Sequence, residues 1–355
     1  MIRLTGMNDT NFNDRQKKIL GVLREVGSVS RFTLTNQVSP DASVSRITFI
    51  RDLNRLIELN LIKMSGKGKN TVYELIEANP ALAYIDLDNY FKTEPETRVV
   101  NKNFNNSVFS CLNNLYSPDE IKLWERSKKI FREVGVKLDP SIYRRELERF
   151  IIELSWKSSQ IEGNTYTLIE TETLIKQNIK AQGHSDEEAV MILNHKKAFE
   201  VILNKKDSFK KLDFSDIIRL HQVLTNGLIT SGIRSQKVRI SGTRYEPLSD
   251  KHQIENALRR LIELVNKTEF PPEKALILSI MIAYIQPFAD GNKRTSRMLS
   301  NAVLLAYDYF PLSYRSIDVN EYRNAMIVFY EINNLYNLRF LYMKQLKFAI
   351  DNYFQ

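Results

Sequence analysis

Apolar positions between Asn13 and Leu75 recur in short, punctuated runs. Ile19, Leu20, Val22, Leu23 and Val26 recur at helical spacing, and Gly27 stops the run. Ser30 is placed to cap a short second helix carrying Phe32 and Leu34, and a turn through Ser39, Pro40 and Asp41 follows. Val44, Ile47, Ile50, Leu53 and Ile57 then recur every three or four residues, which predicts a longer helix from about Ser43 to Leu59. Beyond Asn60 the pattern changes. Leu61–Met64 and Thr71–Leu75 read as two short strands around the glycine-rich turn Gly66-Lys67-Gly68-Lys69-Asn70.

Three helices followed by a hairpin is the layout of a winged helix-turn-helix, expected here over residues 1–78. Residues 79–108 are weakly periodic and read as a connector. From about Ser117 helical periodicity dominates, and Lys237–Pro247 alone departs from it. There Val238, Ile240 and Thr243 alternate with polar residues around Ser241-Gly242, as a small hairpin would. The expected fold class is all-α with two minor β-hairpins, with residues 109–355 forming the second domain.

Composition narrows this picture. Of 355 residues, 43% are hydrophobic and 26% charged, an ordinary balance that excludes wholesale disorder. Cys111 is the only cysteine, so neither an internal disulfide nor a cysteine metal cluster can form. The N-terminal residues lack the apolar run of a signal peptide. The longest apolar stretch, Ala275–Ile285, is interrupted by Ser279 and falls well short of the roughly 20 residues that span a bilayer. No membrane association and a cytoplasmic location are expected. The formal net charge of +9 points to a polyanionic partner, nucleic acid or nucleotide.

The chemistry concentrates in Ile285–Leu299, IQPFADGNKRTSRML. Pro287 and Asp290-Gly291 break one apolar helix and another follows, so the turn delivers Asp290, Gly291 and Asn292 to a helix N-terminus. Unpaired backbone N–H groups and the helix dipole favour an anion there. Arg294 and Arg297 lie three apart on one helical face, and guanidinium groups suit phosphate oxygens. Asp290 would be free to hold Mg²⁺, which takes few carboxylates plus phosphate oxygens. A solvated helix start with an ordinary turn is the bland alternative. No Walker A pattern is present, because the Gly66–Lys69 segment lacks its spacing.

The segment resembles the signature of Fic-domain proteins, His-x-Phe-x-[Asp/Glu]-Gly-Asn-x-Arg-x-x-Arg. Phe288, Asp290, Gly291, Asn292, Arg294 and Arg297 match in register. Ser158-Ser159-Gln160-Ile161-Glu162-Gly163 resembles the family's inhibitory helix motif, [Ser/Thr]-x-x-x-Glu-[Gly/Asn], and the Lys237–Pro247 segment resembles its flap. The resemblance covers roughly Phe109 to Gln355 and implies transfer of AMP from ATP to a protein hydroxyl. On that reading Phe288 anchors the core, Asp290 holds Mg²⁺, and Gly291, Asn292 and Lys293 surround the phosphates. Arg294 and Arg297 would hold the outer phosphates. Tyr322, on a late helix, reads either as a base-stacking residue or as part of the core. Glu162, in an inhibitory helix near residues 150–165, would pair with Arg297 and displace the γ-phosphate. Ser241, Gly242 and Thr243 would belong to the flap that aligns a target protein.

One position departs from the family. Gln286 stands where the signature has the histidine expected to act as general base, and a glutamine amide does not take up a proton near neutral pH. Losing a positioned base typically costs about 10²–10⁴ in rate. Of the four histidines, His195 and His221 sit in helical patterns and read as structural or surface residues, and none is an obvious stand-in. Three readings follow: an adenylyltransferase that is slow or finds its base elsewhere, a catalytically silent nucleotide sensor, and an enzyme of altered chemistry such as AMP removal. A sensor would act through the winged helix. Ser43, Ser45, Arg46 and Thr48 lie where such a motif meets the major groove, and Lys63, Lys67 and Lys69 line the wing. Asn13–Leu75 holds eleven basic against six acidic residues. Duplex DNA, bound as a homodimer, is the expected partner of that domain, with a protein-interaction module as the alternative.

Overall fold

The computed structural model describes residues 12–39, 45–58, 61–76 and 79–354, and the side chain of Lys69 lies outside what is described. The chain divides into two compact units, Met1–Thr93 with Asn334–Phe340, and Glu94–Asn333 with Leu341–Gln355.

In the first unit α1 (Asp14–Val26) opens on a capping box between Asn13 and Gln16 and closes at Gly27, whose φ is +77°. The two-residue strand β1 (Val29–Ser30) follows, and Ser30 then caps α2 (Arg31–Val38) by accepting from the Thr33 N–H. After α3 (Arg46–Glu58) come β2 (Ile62–Ser65) and β3 (Val72–Leu75), joined through a 3-10 turn at Gly68–Asn70. The sheet is antiparallel in the order β1-β3-β2, with Ile62 opposite Leu75 and Val29 opposite Tyr73. A short helix α4 (Leu87–Tyr90) lies in the stretch read as a connector.

Two details differ from the sequence reading. The α3 face that enters the core is Phe49, Leu53 and Leu56, while Ile47 is exposed; on α2 Leu34 is buried and Phe32 is not. The rotation brings Asp52 inside, where Asn13 and Gln16 each donate to Oδ1 at 3.0 Å and Arg15 pairs with Oδ2. Three donors make the burial of that carboxylate tolerable. Secondly, α3 starts at Arg46, because the Ser45 hydroxyl accepts from the Thr48 N–H and fixes the N-terminus there. Ser43 and Val44 lie outside the described residues.

The second unit is helical. Its elements are α5 (Val108–Cys111), α6 (Pro118–Lys137), α7 (Pro140–Ile161), α8 (Leu168–Gln177), α9 (Asp186–Asn204), α10 (Phe214–Thr225), α11 (Lys251–Lys267), α12 (Pro271–Ile285), α13 (Asn292–Ala306) and α14 (Val319–Ile332). A last helix, α15 (Tyr336–Asn352), gives its first residues to one unit and the remainder to the other. Local sequence starts these helices: Ser117 with Glu120, Thr167 with Glu170, Ser185 with Glu188 and Asp213 with Asp216 each form a capping box. Ala275 to Ile285 is buried on every side of α12, as is most of α13, and these two helices pack chiefly on one another. A helix apolar all round belongs at the centre of the core. No described helix is long and apolar enough to cross a membrane.

Lys237–Pro247 is not a hairpin. It turns at Ser241-Gly242, but no strand is assigned to either arm, and its bridge is a parallel one from Glu246 to Asn103. The second arm is committed elsewhere. Arg244 donates to the Glu96 carbonyl, the Glu246 N–H to the Lys102 carbonyl at 2.7 Å, and Tyr245 is buried. The alternation of Val238 and Ile240 with polar neighbours instead marks one wall of a cavity.

Candidate functional site

The site is built on the turn between the two central helices. α12 ends at Gln286, which adopts a left-handed conformation (φ +51°) and returns its N–H to the Ile282 carbonyl. Its carbonyl accepts from Arg234 Nε at 2.6 Å; the Arg234 N–H also donates to the Pro287 carbonyl. α13 starts from Gly291 at φ +78°, and a Cβ there would come within 2.8 Å of Thr225 Cγ2. Both conformation and space therefore ask for glycine. Between them Asn292 closes the turn: its Oδ1 accepts from the Phe288 N–H, and its Nδ2 donates to the Phe288 carbonyl and to Gln286 Oε1, each at 2.9 Å.

Gln286 is thereby held at both ends of its amide, since Nε2 also donates to the Ala283 carbonyl at 2.7 Å. The Phe288 ring is buried and stacks on His221 at 3.6 Å, with 9° between the planes. His221 Nε2 donates to the Asp290 carbonyl at 3.0 Å, and burial pushes its imidazole down to about 4. The ring is neutral at physiological pH. It supports the turn from beneath, so His221 is a buried part of the site and not a surface residue.

A cavity of about 620 Å³ opens above the turn. Gln286, Asp290, Asn292 and Lys293 line it from below, Glu162 and Tyr322 from the side, and Val238 to Gly242 across it. Arg239, Arg323 and Tyr330 also face it. Ser241 and Gly242 are on this wall, whereas Thr243 turns away and caps the Tyr245 N–H. The Gly242 carbonyl is fixed by Arg98 at 2.8 Å, itself paired with the fully buried Glu331.

Arg294 and Arg297 do not line the cavity; both are buried behind it. Arg294 reaches Asp290 Oδ2 at 2.9 Å, leaving that carboxylate 65% exposed. Arg297 donates through Nη2 to Glu162 Oε1 and to the Ser158 carbonyl, each at 2.9 Å, and through Nε to the Ser158 hydroxyl at 3.0 Å. The guanidinium also lies 5.9 Å from the Tyr322 ring centre. Glu162 caps the C-terminus of α7 and meets Lys293 with its second oxygen at 3.5 Å. Burial raises the Glu162 carboxyl, but Arg297, then Lys293 and Arg294, outweigh it and hold it below the usual carboxylate range. Gly163 follows at φ +100° and lets the chain leave the helix.

A single exposed carboxylate beside a cationic turn is the donor set Mg²⁺ accepts when phosphates supply further oxygens. Asp290 fits this, with Oδ2 toward Arg294 and most of the group open to the cavity. No cluster of three His, Cys, Asp or Glu capable of holding a metal by itself occurs among the described residues. Sequence reasoning did not place Arg234, Arg98 or Tyr330 at the site, and it left His195 and His221 as structural or surface residues. None stands inside a recognisable spacing, and tertiary packing alone brings them to the site and its supports.

In the first unit Ser45 and Thr48 share a hydroxyl contact at 2.9 Å, Arg46 and Lys67 are exposed, and Lys63 pairs with Glu74 at 2.8 Å.

Residues 211–304 match the sequence model of the Fic/DOC family. The chain is 27% identical over 187 residues to the protein adenylyltransferase Fic of Nematostella vectensis, covering 50% of this chain and 43% of that protein. It is 26% identical over 161 residues to protein adenylyltransferase fic-1 of Caenorhabditis elegans, covering 43% of this chain and 31% of that one. The matched region thus spans less than half the length of these curated relatives. Among solved structures, Fic-1 of C. elegans superposes with a TM-score of 0.58 at 20% identity, over 66% of this chain and 72% of that one. A Fic domain containing signaling protein of Bacteroides thetaiotaomicron gives 0.54 at 22%, over 65% and 96%. The fold is Fic-like, mostly helical with one small three-stranded sheet.

Proposed function

We propose that this chain is a Fic-type protein adenylyltransferase, binding ATP at the Gln286–Arg297 turn and held off by Glu162. One observation carries the reading: Glu162, at the edge of a cavity large enough for a nucleotide, occupies the guanidinium of Arg297, a residue of the signature. A phosphate and a carboxylate compete for the same donors, so binding and release of Glu162 form a two-state switch. Transfer would join a protein hydroxyl oxygen to the α-phosphorus of ATP, break its bond to pyrophosphate and release the hydroxyl proton. Asp290 would hold Mg²⁺, which supplies charge neutralisation to the phosphates when bound. Lys293 and the α13 N-terminus would bind the anion, with Arg294 behind them holding Asp290. Gln286 cannot take the proton, and with its amide committed to Asn292 and Ala283 it acts as a brace for the turn.

That same commitment favours a second reading, a nucleotide sensor without turnover. Its output would be the N-terminal unit, read as a winged helix with support from α1 to α3 and the antiparallel sheet, in which Arg46, Thr48, Lys67 and Lys69 would be the residues that meet DNA. Ser45 and Thr48 are engaged in capping, so Arg46 and the wing lysines would carry most of the contact. The two readings separate in one experiment. Wild type, Glu162→Gly, Gln286→His and the double variant are incubated with α-labelled ATP and Mg²⁺. Label with Glu162→Gly alone is the result expected of the enzyme. Label only in the double variant supports the sensor, and fluorescence anisotropy on duplex DNA with and without nucleotide, at two salt concentrations, then tests its output. ATP binding to none of the four would sink both.

A further inference from the structure

Behind the Glu162–Arg297 pair lies a buried histidine that the reading above does not use. His195 of α9 is fully buried, with Nδ1 2.9 Å from the Met191 carbonyl and Nε2 2.9 Å from the Ser158 hydroxyl. The Met191 carbonyl only accepts, so Nδ1 carries the proton and Nε2 presents a lone pair. The Ser158 hydroxyl must then donate to Nε2, and its own lone pairs face Arg297 Nε at 3.0 Å. Burial, with Arg294 and Arg297 nearby, pushes the imidazole down to about 3, so the ring stays neutral in any physiological medium.

We propose that His195 is a positioning residue for this switch: its ring fixes the rotor of Ser158, and the fixed hydroxyl holds Arg297 on Glu162 and away from a bound phosphate. The three residues come from α9, α7 and α13, so the relay also joins the helix that ends in Glu162 to the one that starts the turn. Every hydrogen bond in it points one way. Without an acceptor at Nε2 the hydroxyl proton is free to turn toward the guanidinium, and Arg297 loses one of its two oxygens from Ser158. Nη1 of Arg297 is buried without a hydrogen-bond partner, so the guanidinium has little to hold it apart from Ser158 and Glu162.

The inference rests on the nucleotide reading, and its test keeps the two apart. ATP affinity is measured by calorimetry for His195→Leu, His195→Asn and His195→Gln, each in the wild-type and Glu162→Gly backgrounds. Asn keeps a donor for Met191 but has no acceptor at the Nε2 position; Gln restores an acceptor there. Leu and Asn are expected to tighten ATP binding about ten- to a hundredfold in the wild-type background, as loss of one charge-assisted hydrogen bond implies. In the Glu162→Gly background, where no carboxylate competes for Arg297, the gain is expected to be clearly smaller, and Gln is expected to stay near wild type. Equal changes in both backgrounds, or Gln behaving as Leu does, would overturn the proposal and leave His195 a packing residue. ATP binding in none of the proteins defeats the nucleotide reading instead. Urea unfolding of His195→Asn, Glu162→Gln and their combination then decides the relay: the two sites share no contact, so additive losses overturn it and non-additive losses sustain it.

Discussion

Two carboxylates nine residues apart on one helix lead different lives. Glu153, in the middle of α7, is 3% exposed, and protein side chains meet both its oxygens: Arg315 and Arg149 at Oε1, and the Tyr353 hydroxyl at Oε2. Glu162, at the helix end, keeps 20% of its side chain exposed and meets Arg297 and Lys293 at the rim of the cavity. The chemistry of the two groups is the same. What differs is whether anything from outside can take the carboxylate's place. Near Glu153 a competitor would have to enter a packed core, whereas at Glu162 an anion in the cavity finds the same cations.

The sharpest way to break this comparison is to remove Glu153. Glu153→Ala is expected to cost about 1–3 kcal/mol in urea unfolding, because it removes a buried acceptor from the Tyr353 hydroxyl while its cations, Arg149 and Arg315, remain open to water. A loss under about 1 kcal/mol would mean Glu153 is no more fixed than a surface group. The matching change at the other end, Glu162→Gln, is expected to destabilise far less and to tighten ATP binding about tenfold in calorimetry, since differential affinity alone sets such a shift. Unchanged affinity would end the distinction between fixed and exchangeable carboxylates.

The smallest effect is the pH dependence. The folded-state value of Glu162 lies below its ordinary 4.5, so the group's stabilisation is complete above that value and is lost as pH falls through the folded-state one. The stability difference between wild type and Glu162→Gln should stay constant from pH 7 to 5 and shrink below 4.5. His195 and His221 act with opposite timing. Their imidazoles are held down to about 3 and about 4, so the unfolded chain takes up protons first, and both proteins should already weaken as pH falls from 6.5. A difference that shrinks above pH 5 would place the Glu162 carboxyl outside the cationic cluster.

How far the sequence disclosed these features depended on range. The turn was legible because Pro287, Asp290 and Gly291 break a helix by their own backbone chemistry, and Arg294 and Arg297 share a face by spacing alone. The proximity of Glu162 to Arg297, 135 residues away, came only through resemblance, since no local rule connects α7 to α13. His195 and His221 looked like ordinary helical positions for the same reason. The segment around Ser241-Gly242 misled because alternation also arises where an extended chain walls a cavity. On α3 the apolar count alone could not choose between neighbouring stripes; the donors that settle Asp52 come from α1. The strand β1 is two residues long, too short for any periodicity to register.

Arg234 adds a mechanical consequence to the chemistry of the turn. One guanidinium gathers the carbonyls of Gln286, Gln236 and Leu248. The stretch from Gln236 to Leu248 is therefore a loop stitched shut at its base by a side chain, with the stitch anchored to the floor of the cavity. Closing such a loop once, during folding, spends chain entropy that an unstitched loop would lose again each time it became ordered. A lysine in that place has one nitrogen to offer three directions, so Arg234→Lys would leave the loop's two ends to drift apart while every residue lining the cavity stayed the same.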